Sequence, residues 1–380
     1  MSTASRWSTT APSPGSRSVR AVGAGSAVPE AGESAEAARG AAVFPLRVMS
    51  QDEVFSAAIA VIRRSPRAVL GLPLVAGLLN FAVTAVLLLV LPSNHLVRMM
   101  TDPTAFEDPE LVWAAMGDVG LWLLLMLTGS VSTLLLALSF GLLGIPSLRA
   151  AYGLPTTLGQ TLRLRAGTIG WLLLHLVLLG LALGAGALVV LVAAALLVGL
   201  TLFVGVVVVL PALFLLLCWV TAAFMFGPLV IVVERRNAFS AVARSFRLNR
   251  GLWWRHIGAV ALLYLIGGIA MMVATLPASL VLGLGAELAW QSPQGQNDWL
   301  ALAVLGLGQL YDAVVAAVMV ALAATAIAAL YLNARFRQEA LDVVLLHAAG
   351  SAADTDQMIP GSPEHLTGHL YRQQARDAYV

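Results

Sequence analysis

Asp312 is the residue whose type and setting come closest to chemistry. It follows Gln309 and Tyr311 and heads a long apolar run. A carboxylate in hydrocarbon is costly and marks a proton or ion site, unless it lies at an interface. The sequence favours the interface: a span starting at Ala313 would leave Asp312 at its outer edge, with Tyr311 as an aromatic anchor. His175, about one turn past Trp171, is the second ionisable group set among apolar residues. No second His or carboxylate accompanies it, so it reads as a packed, hydrogen-bonded side chain rather than a ligand. Glu234 stands beside Arg235 and Arg236 and reads as half of an interfacial ion pair. His365 and His369 are four apart, and two ligands make a weak metal site. Cys218 is the only cysteine and lies in an apolar context, which predicts an inert, buried thiol. There is no GxGxxG beside a strand, no Walker motif, no HExxH and no GxSxG. Neither a cofactor nor a metal is expected, and no catalytic residue is assigned.

The elements that must position these residues are membrane helices. The chain is 59% hydrophobic and 11% charged, with a mean hydropathy of +0.87. An ordinary soluble domain carries about a quarter of its residues as charges. From Thr168 to Val233 there is no acidic or basic side chain. As one helix that run would extend about 100 Å against a hydrocarbon core of about 30 Å, so it must fold back on itself. Arg163 and Arg165 precede it, and Arg235 and Arg236 follow it, which predicts an even number of crossings.

Read this way, the chain is an all-α polytopic membrane helix bundle. Six transmembrane helices are expected as three hairpins, with short cytoplasmic interfacial amphipathic helices. The spans are placed at about 69–91, 119–145, 168–197, 202–233, 257–282 and 313–332, with a tight turn near Gly199 between the third and fourth. The membrane domain covers 44–347. A Ser-, Ala-, Gly- and Pro-rich tail, 1–43, precedes it, and a loose tail, 348–380, follows; both are expected to be disordered and cytoplasmic. All 22 basic residues are Arg. Fifteen of them flank the spans on one face, against Arg98 alone on the other, which places both termini in the cytoplasm of a bacterial plasma (inner) membrane. A net charge of +2 distributed by sidedness argues against a nucleic-acid partner.

A weak repeat runs through the plan. Ser50 and Glu53 predict a capping box ahead of an amphipathic helix with Val54, Phe55, Ala58 and Ile62 on one side. Asn237 predicts a cap for a helix whose Phe239, Val242 and Phe246 face the acyl region or the ends of the spans, while Arg244 and Arg247 point away. Thr157 to Arg165 repeats the idea more loosely. Arg244, Arg247, Arg250, Trp253 and Trp254 are thus the candidate contacts for anionic lipid headgroups or another membrane protein. Pro73, Pro211 and Pro277 are expected to interrupt spans one, four and five, and Gly180-x-x-x-Gly184 is a candidate for close helix contact.

The segment from Glu234 to Leu248, with Gly251, Trp253 and Trp254, resembles actinobacterial six-span proteins described as the membrane domain of glycerophosphoryl diester phosphodiesterase. The ending from Tyr331 to Asp342 and the opening Phe44-Pro45-Leu46-Arg47 with Arg63 to Arg67 are similar to that family's signatures, over about residues 44 to 348. The family often has Asp at the position of Asn333 and Gly at that of Ala340. The resemblance implies the six-span fold and no phosphodiesterase activity, since the catalytic barrel of the fused members would need about 250 further soluble residues. The expected function is a non-enzymatic scaffold or accessory subunit with a basic cytoplasmic face; the alternative is a transporter or lipid-handling protein with a path between the hairpins.

Overall fold

Three capped starts organise one end of the molecule. Glu53 turns back to accept the Ser50 N–H at 2.9 Å, Thr157 and Gln160 cap one another reciprocally, and Asn237 Oδ1 accepts the Ser240 N–H at 2.8 Å. Each satisfies backbone donors that a helix start leaves without partners. The computed structural model describes residues 47–90, 107–151, 154, 156–201, 204–290, 298–341, 359, 362 and 363. The expected tail 1–43, most of 348–380, the His365/His369 pair and Arg98 lie outside the described residues.

Each cap opens a unit made of a short helix and a long hairpin. The first unit comprises α1 (Gln51–Arg64), α2 (Pro66–Val90), α3 (Pro109–Gly117), α4 (Val119–Leu142) and α5 (Gly144–Ala151). The second has α6 (Leu158–Leu164), a 3-10 turn, α7 (Ile169–Leu200), α8 (Val206–Phe224) and α9 (Gly227–Glu234). The third has α10 (Ala238–Asn249), α11 (Trp253–Trp290) and α12 (Asp298–Glu339). The protein is an all-α polytopic bundle with six helical segments long and apolar enough to cross a membrane, and no strand occurs among the described residues. It is a multi-pass membrane protein whose spans sit in a lipid bilayer.

Several boundaries differ from the sequence expectation, each for a local reason. The third span runs through Gly199 to Leu200 and ends at Thr201, whose Oγ1 donates to Leu197 O and accepts the Gly205 N–H at 3.0 Å. Pro73, Pro211 and Pro277 all sit inside unbroken helices. The breaks come instead at Leu143, before Gly144-Ile145-Pro146, and at Met225–Phe226, before Gly227-Pro228. There the prolines occupy the first turn of a new helix, where a missing N–H costs nothing. Gly180, Gly184 and Gly186 face open space, so the GxxxG pair makes no helix contact. Close approach occurs elsewhere: a Cβ on Gly77 would meet Ala313 at 3.2 Å, and one on Gly144 would meet Leu229 at 2.3 Å.

α12 is the central helix, packing against α1, α2, α4, α5, α10 and α11. Its run of Ala at 313, 316, 317, 321, 323, 324, 326, 328 and 329 presents little bulk, which lets neighbours approach. The buried core gathers at the Arg-rich end: Met49, Val61, Ile145, Phe226, Val230, Leu248 and Tyr331 belong to it, as does Ile359 from the segment expected to be loose. Toward the other end the helices carry their large side chains outward, with Leu188, Leu200 and Val207 exposed.

Candidate functional site

Glu234 closes α9 just before Arg235, whose φ of 54° stops the helix in the left-handed region. The carboxylate is held from several sides. Arg244 Nε donates to both of its oxygens at 3.1 Å, Tyr331 Oη donates at 2.9 Å, and Arg236 Nε at 3.0 Å. Arg244 reaches on to Glu339, and Glu339 accepts from Arg335 Nε at 2.8 Å. Arg335 also donates to Tyr331 Oη at 3.3 Å, lying over the Tyr331 ring. Helices α9, α10 and α12 are thereby tied at one point. Burial works against the charge on Arg244, but Glu234 and then Glu339 outweigh it and push its pKa up.

A second polar cluster repairs the break between α8 and α9. A helix that stops at Phe224 leaves carbonyls without partners. Ser245 Oγ donates to Ala223 O at 2.7 Å, and Asn249 Nδ2 donates to Ala222 O at 2.8 Å. Because the Asn249 amide donates there, its Oδ1 accepts from His256 Nδ1 at 2.6 Å, which selects the Nδ1-H form of that ring. A third clasp holds the chain before α1: Asn333 accepts the Met49 N–H at 2.9 Å and donates to Met49 O at 3.2 Å, an oxygen that also accepts from Arg255.

The sequence-assigned residues divide among distinct settings. Arg244 is an internal bridge, its side chain only 15% exposed. Arg247 and Arg250 are exposed. Trp254 is 79% exposed, while Trp253 stacks on Trp219 with ring centroids 6.0 Å apart. α10 packs through Ala238, Ala241, Ser245, Leu248 and Asn249. Phe239 points outward, and Phe246 meets Phe224 edge-on. His175 is buried against Gly227, and its Nε2 has no partner among the described residues. Cys218 is buried and free.

Asp312 lies inside the sixth span, which begins at Gly306 on a helix already running from Asp298. It does not sit at the start of the span, because the apolar helix continues through the preceding residues. With Gln309 it lines a cleft of about 180 Å³ shared with Asn80 of α2 and Ser132 of α4. Asn80 Oδ1 is buried without a partner among the described residues. Along α2, about 20 Å of helix separates Arg67 from Asn80, and along α4 about 21 Å separates Asp118 from Ser132, at 1.5 Å per residue. Two charged levels about 41 Å apart match a bilayer with its headgroups, but on α12 Asp312 stands only about 9 Å past the start of its span at Gly306, so the cleft lies within the apolar region on the side away from the Arg-rich end.

The chain matches no protein-family model, no curated protein and no solved structure.

Sequence reasoning missed the roles of Tyr331, Arg335, His256, Ser245 and Asn249. Tyr331, Arg335 and Glu339 recur every four residues, as do Ser245 and Asn249. That spacing puts each set on one helix face. On α10, Ser245 and Asn249 share the packed face with the small or apolar Ala238, Ala241 and Leu248, away from Phe239.

Proposed function

We propose that the protein is a non-enzymatic scaffold or accessory subunit of the bacterial plasma membrane. Its termini are cytoplasmic, and its Arg-rich end meets anionic lipid headgroups or another membrane protein. What supports this reading is the division of roles around α10. Arg244 is consumed by Glu234 and Glu339, whereas Arg247 and Arg250 stay exposed beside the outward-facing Phe239 and Trp254. Guanidinium groups at headgroup level with aromatics beside them suit an anionic leaflet. Burying an aromatic of this kind stabilises by about 1.5–3 kcal/mol, and each Arg adds about 1 kcal/mol, weakened by salt. Apolar anchoring therefore dominates, and charge selects what is met. Replacing Arg247 and Arg250 together by Gln should leave insertion and folding intact while lowering the anionic phospholipid that co-purifies at low salt. Unchanged lipid retention would contradict the reading. The likeness to a membrane domain fused elsewhere to a phosphodiesterase is part of this proposal, with no hydrolysis of glycerophosphodiesters expected from the purified chain.

A second reading, a transporter or lipid-handling protein with a path between hairpins, is favoured by one observation: the polar cleft at Asp312.

A further inference from the structure

We propose that the cleft around Asp312 binds a monovalent cation of sodium size, held within the span region by side-chain oxygens from α2, α4 and α12. The proposal concerns binding, and goes beyond both readings above; it stands whether or not the ion crosses.

Charge selects the ligand class. Among the described residues Asp312 is the only ionisable one lining the cleft, and the other polar groups there, Asn80, Ser132 and Gln309, carry neutral oxygens. No hydrogen bond or ion pair engages Asp312 among the described residues. A lone carboxylate in the apolar part of a bilayer is costly unless it takes up a proton or a cation accompanies it, and where it stays ionised a single positive charge balances it. Anions are excluded by the same carboxylate. Soft transition metals prefer thiolate or imidazole ligands, neither of which lines the cleft. Calcium takes about 6–8 oxygens, often from several carboxylates, and one carboxylate leaves a divalent ion uncompensated.

Geometry supplies the ligands. Asn80 Oδ1, buried and without a partner among the described residues, is an acceptor that hydrocarbon cannot satisfy. At Gly77, α2 and α12 pack closely, since a Cβ there would meet both Ala313 Cβ and Ala313 O. This contact sits one turn from Asn80 and next to Asp312 in sequence, so it holds those two side chains in one cleft. Ser132 enters from the third side, on α4. Amide, hydroxyl and carboxylate oxygens converging from three helices form a donor set suited to a hard cation, and the close crossing at Gly77 limits the space in which they can spread.

The test uses the full-length protein in nanodiscs. Thermal unfolding is followed in sodium chloride, potassium chloride or N-methylglucamine chloride at equal ionic strength, alongside equilibrium binding of radioactive sodium. The wild type should melt higher in sodium, with a saturable dependence, and should retain sodium above background. Asp312→Asn keeps the shape and removes the charge; it should weaken sodium binding by more than about tenfold and abolish the sodium-dependent shift. Asn80→Ala should weaken binding less. Leu188→Ala, which faces outward away from the cleft, should behave as wild type. Equal melting of the wild type in all three salts with no retained sodium overturns the proposal, as does undiminished binding in Asp312→Asn.

Discussion

At the Arg-rich end of α12, Tyr331 and Arg335 are buried, and with Glu339 they form a chain of hydrogen bonds that reaches α9 and α10. Toward the opposite end of the bundle, Leu188, Leu200, Val207 and Leu265 present bare apolar surface. The two regions show where positional information resides in a membrane bundle. In hydrocarbon an apolar side chain gains little by leaving lipid for another helix, so the outward Leu and Val residues specify depth but not neighbours. Directional bonds do specify neighbours. Glu234 has four donor contacts from three side chains, on α10, α12 and the link between α9 and α10, and Asn333 reads both polar atoms of the Met49 backbone.

Substitutions should separate the two regions by size of effect. Glu234→Ala is the most damaging: it removes one of the two carboxylates that hold Arg244 and the acceptor of the Tyr331 hydroxyl, and should cost about 2–3 kcal/mol, measured as unfolding in mixed micelles. A loss no larger than that of a lipid-facing substitution would dissolve the contrast. Asn333→Asp removes the donor to Met49 O and should cost about 1–2 kcal/mol, with faster hydrogen exchange across the start of α1. Ala340 has the opposite sign. Its φ of 47° lies in the left-handed region, so Ala340→Gly should stabilise by about 1 kcal/mol. Leu188→Ala, 65% exposed in the absence of lipid, should change stability by less than about 0.5 kcal/mol.

What was legible in the sequence follows the same divide. Apolar length and the starts at Ser50, Thr157 and Asn237 depend on neighbours in sequence, and the spans and short helices formed where those signals lay. The breaks at Leu143 and Met225 were not legible, because a proline inside a run looks the same whether the helix continues through it or restarts beside it. The Glu234 network joins residues up to 97 positions apart, which no local pattern encodes. Asp312 was recognised as a polar group, but its depth was not, since the start of an apolar helix is set by its neighbours and not by its own composition. Nor do Ala340 and Asn333 announce their settings: Ala340 occupies a conformation that favours Gly, and Asn333 uses both ends of its amide.

The proposed function requires the packed, Arg-rich end to face the cytoplasm, and sidedness is the most direct test of it. Intact cells expressing Glu107→Cys or Arg250→Cys would be treated with a membrane-impermeant maleimide; Cys218 is buried and serves as a silent background. Both positions are exposed at opposite ends of the bundle. The account predicts that Glu107→Cys is modified from outside and that Arg250→Cys is modified only after the membrane is opened. External labelling of Arg250→Cys with sparing of Glu107→Cys would contradict it.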